Sequence, residues 1–145
     1  MSDDSNGNPP LAFWIISGLF LTWNLIGLMF YYMQVTMTPE FMAENFSDAQ
    51  VAFMMSTPAW ATAGYATAVN AGVIAALLLL MRKRWAKTFF ILSFAGVLVQ
   101  DFDAFVLSDV IAVWGTSALY LPTVVIIICV AEIWYSHSIA NRYYR

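Results

Sequence analysis

The chain has 145 residues, of which 61% are hydrophobic and 10% charged, with a mean hydropathy of +0.72 and a formal net charge of −3. A composition this apolar lies outside that of ordinary water-soluble domains. The length leaves room for one domain, the negative balance argues against a nucleic-acid footprint, and a single cysteine, Cys129, excludes an intramolecular disulfide and a CxxC redox pair.

Residues 1–10, MSDDSNGNPP, read as a disordered tail that is acidic where a secretory signal would be basic. Residues 11–35 are the first stretch that meets the roughly 20 apolar residues a transmembrane helix needs. The stretch exceeds a signal core of roughly 7 to 15 residues and is expected to remain as a helix. Residues 36–57 form a polar loop. Within it, Thr38-Pro39-Glu40 reads as an N-cap followed by proline at the first helical position, and Ser47-Asp48-Ala49-Gln50 has capping-box spacing. Two short helices are expected there, with Phe41, Met42, Phe46, Phe53 and Met54 pressed onto the membrane or over the mouth of a bundle. Further crossings follow at residues 58–81, 85–107 and 118–137, and residues 138–145 form a basic tail. The fold class is therefore an all-α membrane protein, a single four-helix bundle over residues 11–137 with short periplasmic helices between its first two crossings.

The basic residues orient it. Arg82, Lys83, Arg84 and Lys87 sit at the second turn and Arg142 and Arg145 in the tail, while the loop 36–57 carries Glu40, Glu44 and Asp48 and no Lys or Arg. Positively charged loops stay in the cytoplasm, so both termini are expected there and the loop 36–57 outside.

Uncharged polar residues repeat at helical spacing inside the crossings. Ser17, Asn24, Gly27, Tyr31 and Gln34 share a stripe of the first, and Ser93, Gly96, Gln100 and Asp103 share one of the third. The second has two faces. Gly64, Ala68, Gly72 and Ala76 make small-xxx-small steps that let another backbone approach, and a helix pair or oligomer interface is expected through them. Thr62, Ala66, Thr67 and Asn70 lie on roughly the opposite side. At 1.5 Å per residue Asn24 and Asn70 fall at similar depth near the midplane, with Gln100 nearer the outside. Because a polar group without a partner in hydrocarbon is costly, Asn24, Asn70 and Gln100 are expected to converge in the interior, either as interhelical glue or as the wall of a polar pocket.

Charged groups at membrane depth mark function by default. Asp101 and Asp103, two residues apart on a helix, point in nearly opposite directions. They do not make a catalytic dyad. Asp103, on the stripe of Gln100 and Gly96, is expected in the interior, and Asp101 to reach a partner helix. Glu132, toward the end of the fourth crossing, is expected to snorkel toward Arg82, Arg84 or Lys87. The lone histidine, His137, has no second histidine for a metal or haem site. GxSxG, HExxH and phosphate-cradling glycine motifs are absent. The expectation is a non-enzymatic protein without metal or cofactor.

The runs Leu21-Thr22-Trp23-Asn24-Leu25-Ile26-Gly27, Met33-Gln34-Val35-Thr36-Met37-Thr38, Thr57-Pro58-Ala59-Trp60-Ala61 and Leu77 to Ala86 resemble a group of small four-helix bacterial inner-membrane proteins often labelled "sugar transporter". The resemblance covers nearly the whole chain apart from its first residues. It implies the fold, the inner membrane and a Gram-negative host, and carries over no functional residue. Two readings follow. One is a non-catalytic membrane module, an accessory subunit of a larger complex or a binder of lipid or a similar amphiphile. The other is a small transporter working as a homo-oligomer, with Asn24, Asn70, Gln100 and Asp103 along its path and Asp101 or Asp103 exchanging protons.

Overall fold

The computed structural model of the protein describes residues 8–144. Most of the expected tail and Arg145 lie outside the described residues. Eight α-helices follow one another: α1 (Leu11–Val35), α2 (Pro39–Asn45), α3 (Asp48–Ser56), α4 (Ala59–Leu80), α5 (Ala86–Phe102), α6 (Val110–Trp114), α7 (Tyr120–Ser138) and α8 (Ala140–Tyr143). A π-helical turn, Asp103–Leu107, extends α5, and a 3-10 turn, Thr116–Leu119, leads into α7. Four helical spans are long and apolar enough to cross a membrane: Leu11–Val35, Ala59–Leu80, Ala86–Leu107 and Thr116–Ser138. The protein is an all-helical bundle of the multi-pass membrane type.

Local chemistry sets the boundaries. Pro58 stands immediately before α4, where its missing N–H is least costly. At α2, the Thr38 hydroxyl accepts from the Phe41 N–H at 3.2 Å. At α3, the Ser47 hydroxyl accepts from the Gln50 N–H at 3.3 Å and the Gln50 side chain accepts from the Ser47 N–H at 3.0 Å, a reciprocal capping box. Just beyond α4 and its cap Met81 stands Arg82, whose φ of 60 is left-handed. Arg82 N–H returns to the Leu79 carbonyl at 2.9 Å and Lys83 N–H to the Leu78 carbonyl at 2.8 Å, so a Schellman turn closes here without glycine. The Arg82 Nε donates to the Tyr143 carbonyl at 2.9 Å, bringing the chain's last described helix to the same end of the bundle as this turn.

The bundle is built outward from α4 and α5. α1 leans on α4 and α7 on α5. Small residues let the central pair touch. A Cβ on Gly96 would fall 2.6 Å from the Gly64 carbonyl oxygen and 2.7 Å from the Ala68 nitrogen, both backbone atoms that cannot step aside. Ser93 seals the same crossing by donating from its hydroxyl to the Ala68 carbonyl at 2.7 Å.

The two ends of the bundle are filled differently. Toward the Arg82 turn, Phe13, Ala75, Ala76, Leu79, Ala86, Phe90 and Ile139 form a continuous buried cluster. Phe20 adds edge-on ring contacts to Phe90 at 6.3 Å and Tyr135 at 5.8 Å. Toward α2 and α3 the packing opens into two neighbouring cavities.

Candidate functional site

The inner cavity, about 230 Å³, lies among α1, α4, α5 and α7. Its floor is a hydrogen bond: Asn24 Nδ2 donates to Glu132 Oε1 at 2.6 Å, with both residues buried. The second amide hydrogen of Asn24 is used within its own helix, donated to the Phe20 carbonyl at 2.9 Å. Gly72 makes the room. A Cβ there would collide with Asn24 Oδ1 and would stand 3.1 Å from the Ser93 hydroxyl.

Above that floor the walls are apolar and aromatic, with Trp23, Phe30, Tyr65, Val97, Val125 and Cys129 among them. Ile26 and Phe30 on α1 and Leu121 on α7 border the cavity and are exposed on the bundle surface. The cavity therefore opens sideways, through the seam between α1 and α7, onto the surface that faces hydrocarbon.

The second cavity, about 340 Å³, lies beneath α2, α3 and α6 and is lined by Phe46, Phe53, Met54 and Trp114. Phe46 meets Trp114 edge-on at 6.0 Å, fastening the α2–α3 connector to α6 over this space. Tyr65, Gln100, Asp101 and Pro122 border both cavities and form their common wall. Asp101 stands in that wall with its Oδ2 enclosed and without a hydrogen-bond partner.

The expected site residues divide. Asn24, Gln100, Asp101 and Asp103 border one or both cavities. Asp103 is buried and its Oδ1 accepts from the Ser108 hydroxyl at 3.4 Å, while its carbonyl accepts from the Ser108 N–H at 2.9 Å to close the π turn. Asp101, expected to reach a partner helix, lies beside the interior spaces as Asp103 does. Both aspartates border the second cavity, and Asp101 alone also reaches the first.

Asn70 does not join Asn24. It is exposed on the outer face of α4, its Nδ2 donating to the Ala66 carbonyl of its own helix at 2.8 Å. The reason is the turn of α4 about its axis: Gly64, Ala68, Gly72 and Ala76 face α1 and α5, which carries Thr67 and Asn70 outward. That small-residue face is consumed within one chain, where Gly64 meets Val99 and Gly96 and Gly72 meets Asn24 and Ser93. It is not free for a second copy.

Glu132 also lies elsewhere than expected. Rather than reaching for Arg82, Arg84 or Lys87, it is 2% exposed and bonded across the bundle to Asn24. The basic end makes other contacts, such as Lys87 Nζ with His137 Nδ1 at 3.2 Å. A signal for Glu132 existed, since Pro122, Val125, Cys129, Glu132 and Ser136 recur at steps of three and four along one face of α7. Among the described residues no group of three His, Cys, Asp or Glu side chains is placed to hold a metal ion. The geometry offers a partly open cavity with acidic groups in an apolar wall, a form suited to holding a ligand.

Comparison with protein-family models, curated proteins and solved structures finds no match for this chain.

Proposed function

We propose that this protein is a non-catalytic membrane module that binds a small amphiphile within its own bundle. The observation that carries the reading is the sideways-opening inner cavity, apolar along its walls and closed at its floor by the Asn24–Glu132 bond. An amphiphile entering from the bilayer through the seam between α1 and α7 would keep its chain against Phe30 and Val125 and bring its head to the polar groups. At about 230 Å³ the space is smaller than the roughly 300 to 1,000 Å³ of ordinary ligand pockets, which favours a single short chain over a phospholipid.

Native mass spectrometry of the protein taken from its membrane in nanodiscs tests this. A stoichiometric single-chain adduct is expected on the native protein and none on Val125→Trp, whose indole would fill the cavity. A native protein that carries no adduct that Val125→Trp removes would end the reading.

The transporter reading draws on the wall shared by the two cavities at Asp101. A carrier needs such a station between two compartments. Uptake into proteoliposomes that is abolished by Asp101→Asn would move the function from holding a ligand to passing one.

We place the protein in a bacterial inner membrane with both termini in the cytoplasm. Support comes from the gathering of Arg82, Lys83, Arg84, Lys87 and Arg142 at one end and of Glu40, Glu44, Asp48 and Asp109 on the loops between crossings at the other. A second copy of the chain is the proposed partner. Ala63, Thr67, Asn70, Ile74 and Leu77 form an exposed stripe along α4, and Asn70 has used only one amide hydrogen, in its bond to Ala66. The remaining amide oxygen and hydrogen need partners in hydrocarbon, and a second Asn70 across a two-fold axis would supply both.

A further inference from the structure

Resting on the amphiphile-binding reading, we propose that the ligand of the inner cavity is a cation, a short-chain alkylammonium or a similar amphiphilic amine. Among the described residues, the walls of the two cavities carry Asp101, Asp103 and Glu132 and no Lys, Arg or His. The described basic side chains instead lie around the α4–α5 turn and at the C-terminal end of α7 and beyond. An anionic head would meet like charge on entry. A neutral head would leave the carboxylates of these walls without an opposite charge.

An ammonium head answers each of these features. It donates up to three hydrogen bonds and carries the opposite charge, and a low-dielectric surrounding strengthens that attraction relative to water. Glu132 Oε1 already accepts from Asn24, and Asp101, in the wall common to both cavities, is the carboxylate that a head entering either space would meet. Trp23, Phe30 and Tyr65 border the same space and offer ring faces of the kind that hold ammonium groups. The apolar walls take the chain, since the cavity ends against Val97, Val125 and Cys129. Selectivity for charge thus resides in the common wall and selectivity for length in the depth of the floor.

The test uses matched probes, decylammonium, decanol and decanoate, added to the full-length protein in nanodiscs of zwitterionic lipid, with occupancy read by native mass spectrometry. Val125→Trp defines what is bound in the cavity. The expected result is at least tenfold higher cavity occupancy for decylammonium than for decanol, no cavity occupancy by decanoate, and loss of the tenfold preference in Asp101→Asn. The comparison among probes on the native protein stands even where a variant fails to fold. Equal occupancy by decylammonium and decanol, both removed by Val125→Trp, would overturn the charge inference while keeping the amphiphile module. A preference for decanoate would do the same, as would a tenfold ammonium preference that survives Asp101→Asn. No Val125→Trp-sensitive occupancy by any probe would overturn both.

Discussion

Asn24 and Glu132, 108 residues apart in sequence, are joined by a 2.6 Å hydrogen bond that ties α1 to α7. Apart from this bond and the Phe20–Tyr135 ring contact, the two helices rest mainly on α4 and α5. The bond is thus the polar tie across the seam, and it sits where the filled half of the bundle meets the hollow half. Removing the amide leaves an acidic group buried without its donor, which destabilises by about 1 to 3 kcal/mol or more. Asn24→Leu is expected to lower the unfolding midpoint in nanodiscs, and Asn24→Leu with Glu132→Leu to recover most of the loss. A double variant as unstable as the sum of its singles would show that the two residues act independently.

Two glycines make separable predictions. At Gly96 an added methyl meets backbone of α4 that cannot move aside, so Gly96→Ala is expected to force α4 and α5 apart at a cost of about 1 to 3 kcal/mol. At Gly72 the obstacle is the Asn24 amide. Gly72→Ala should displace that side chain and break the tie to Glu132, giving little further loss when placed on Asn24→Ala, which removes the colliding atoms. Thermal unfolding of the single and double variants checks both statements.

The exposed stripe of α4 predicts a dimer contact. Asn70→Cys in a background where Cys129 is replaced by Ala is expected to cross-link efficiently in native membranes, and Thr67→Cys less so. Cysteines at buried Ala68 or Ala75 should not react. Asn70→Leu should weaken association by about 1 kcal/mol, in the range of single interhelical hydrogen bonds in membranes. Equal cross-linking from any lipid-facing position would remove the interface.

Tyr144, beyond the last crossing, shares a hydrogen bond with the Ser136 hydroxyl. Burial raises its pKa above the ordinary 10.0, the Ser136 bond offsets part of that rise, and nearby Tyr135 adds to it. The phenol therefore deprotonates first in the unfolded chain. Its stabilising contribution is whole below pH 10.0 and declines as pH climbs from there through the folded value. Unfolding midpoints should fall more steeply above that pH for the native protein than for Tyr144→Phe, and parallel curves would show that the ring is not held as described.

The crossings were legible because hydropathy and length are properties of single segments, and both capping sequences of the α2–α3 connector carried their own start signals. What was misread depends on rotation about a helix axis. Asn24 and Asn70 are the same residue at similar depth, yet one is buried and the other exposed. The small residues of α4 decide between them: once Gly64 and Gly72 face inward, Asn70 must face out. For Glu132, distance from the basic turn points the wrong way, whereas its place on the stripe with Cys129 and Ser136 gives the direction it faces. The cavities have no signature in one segment, since an empty space is a relation among side chains of four helices.

The unequal filling of the bundle has a mechanical consequence. A close-packed interior resists compression, whereas void space is lost when structure gives way, so pressure favours the state in which voids have gone. Hydrostatic pressure should therefore act on this protein from one side, loosening the half beneath α2, α3 and α6 while the cluster around Phe13, Leu79 and Phe90 holds. Anything that fills the hollow half would stiffen it, so that an occupied bundle would tolerate pressures at which an empty one yields.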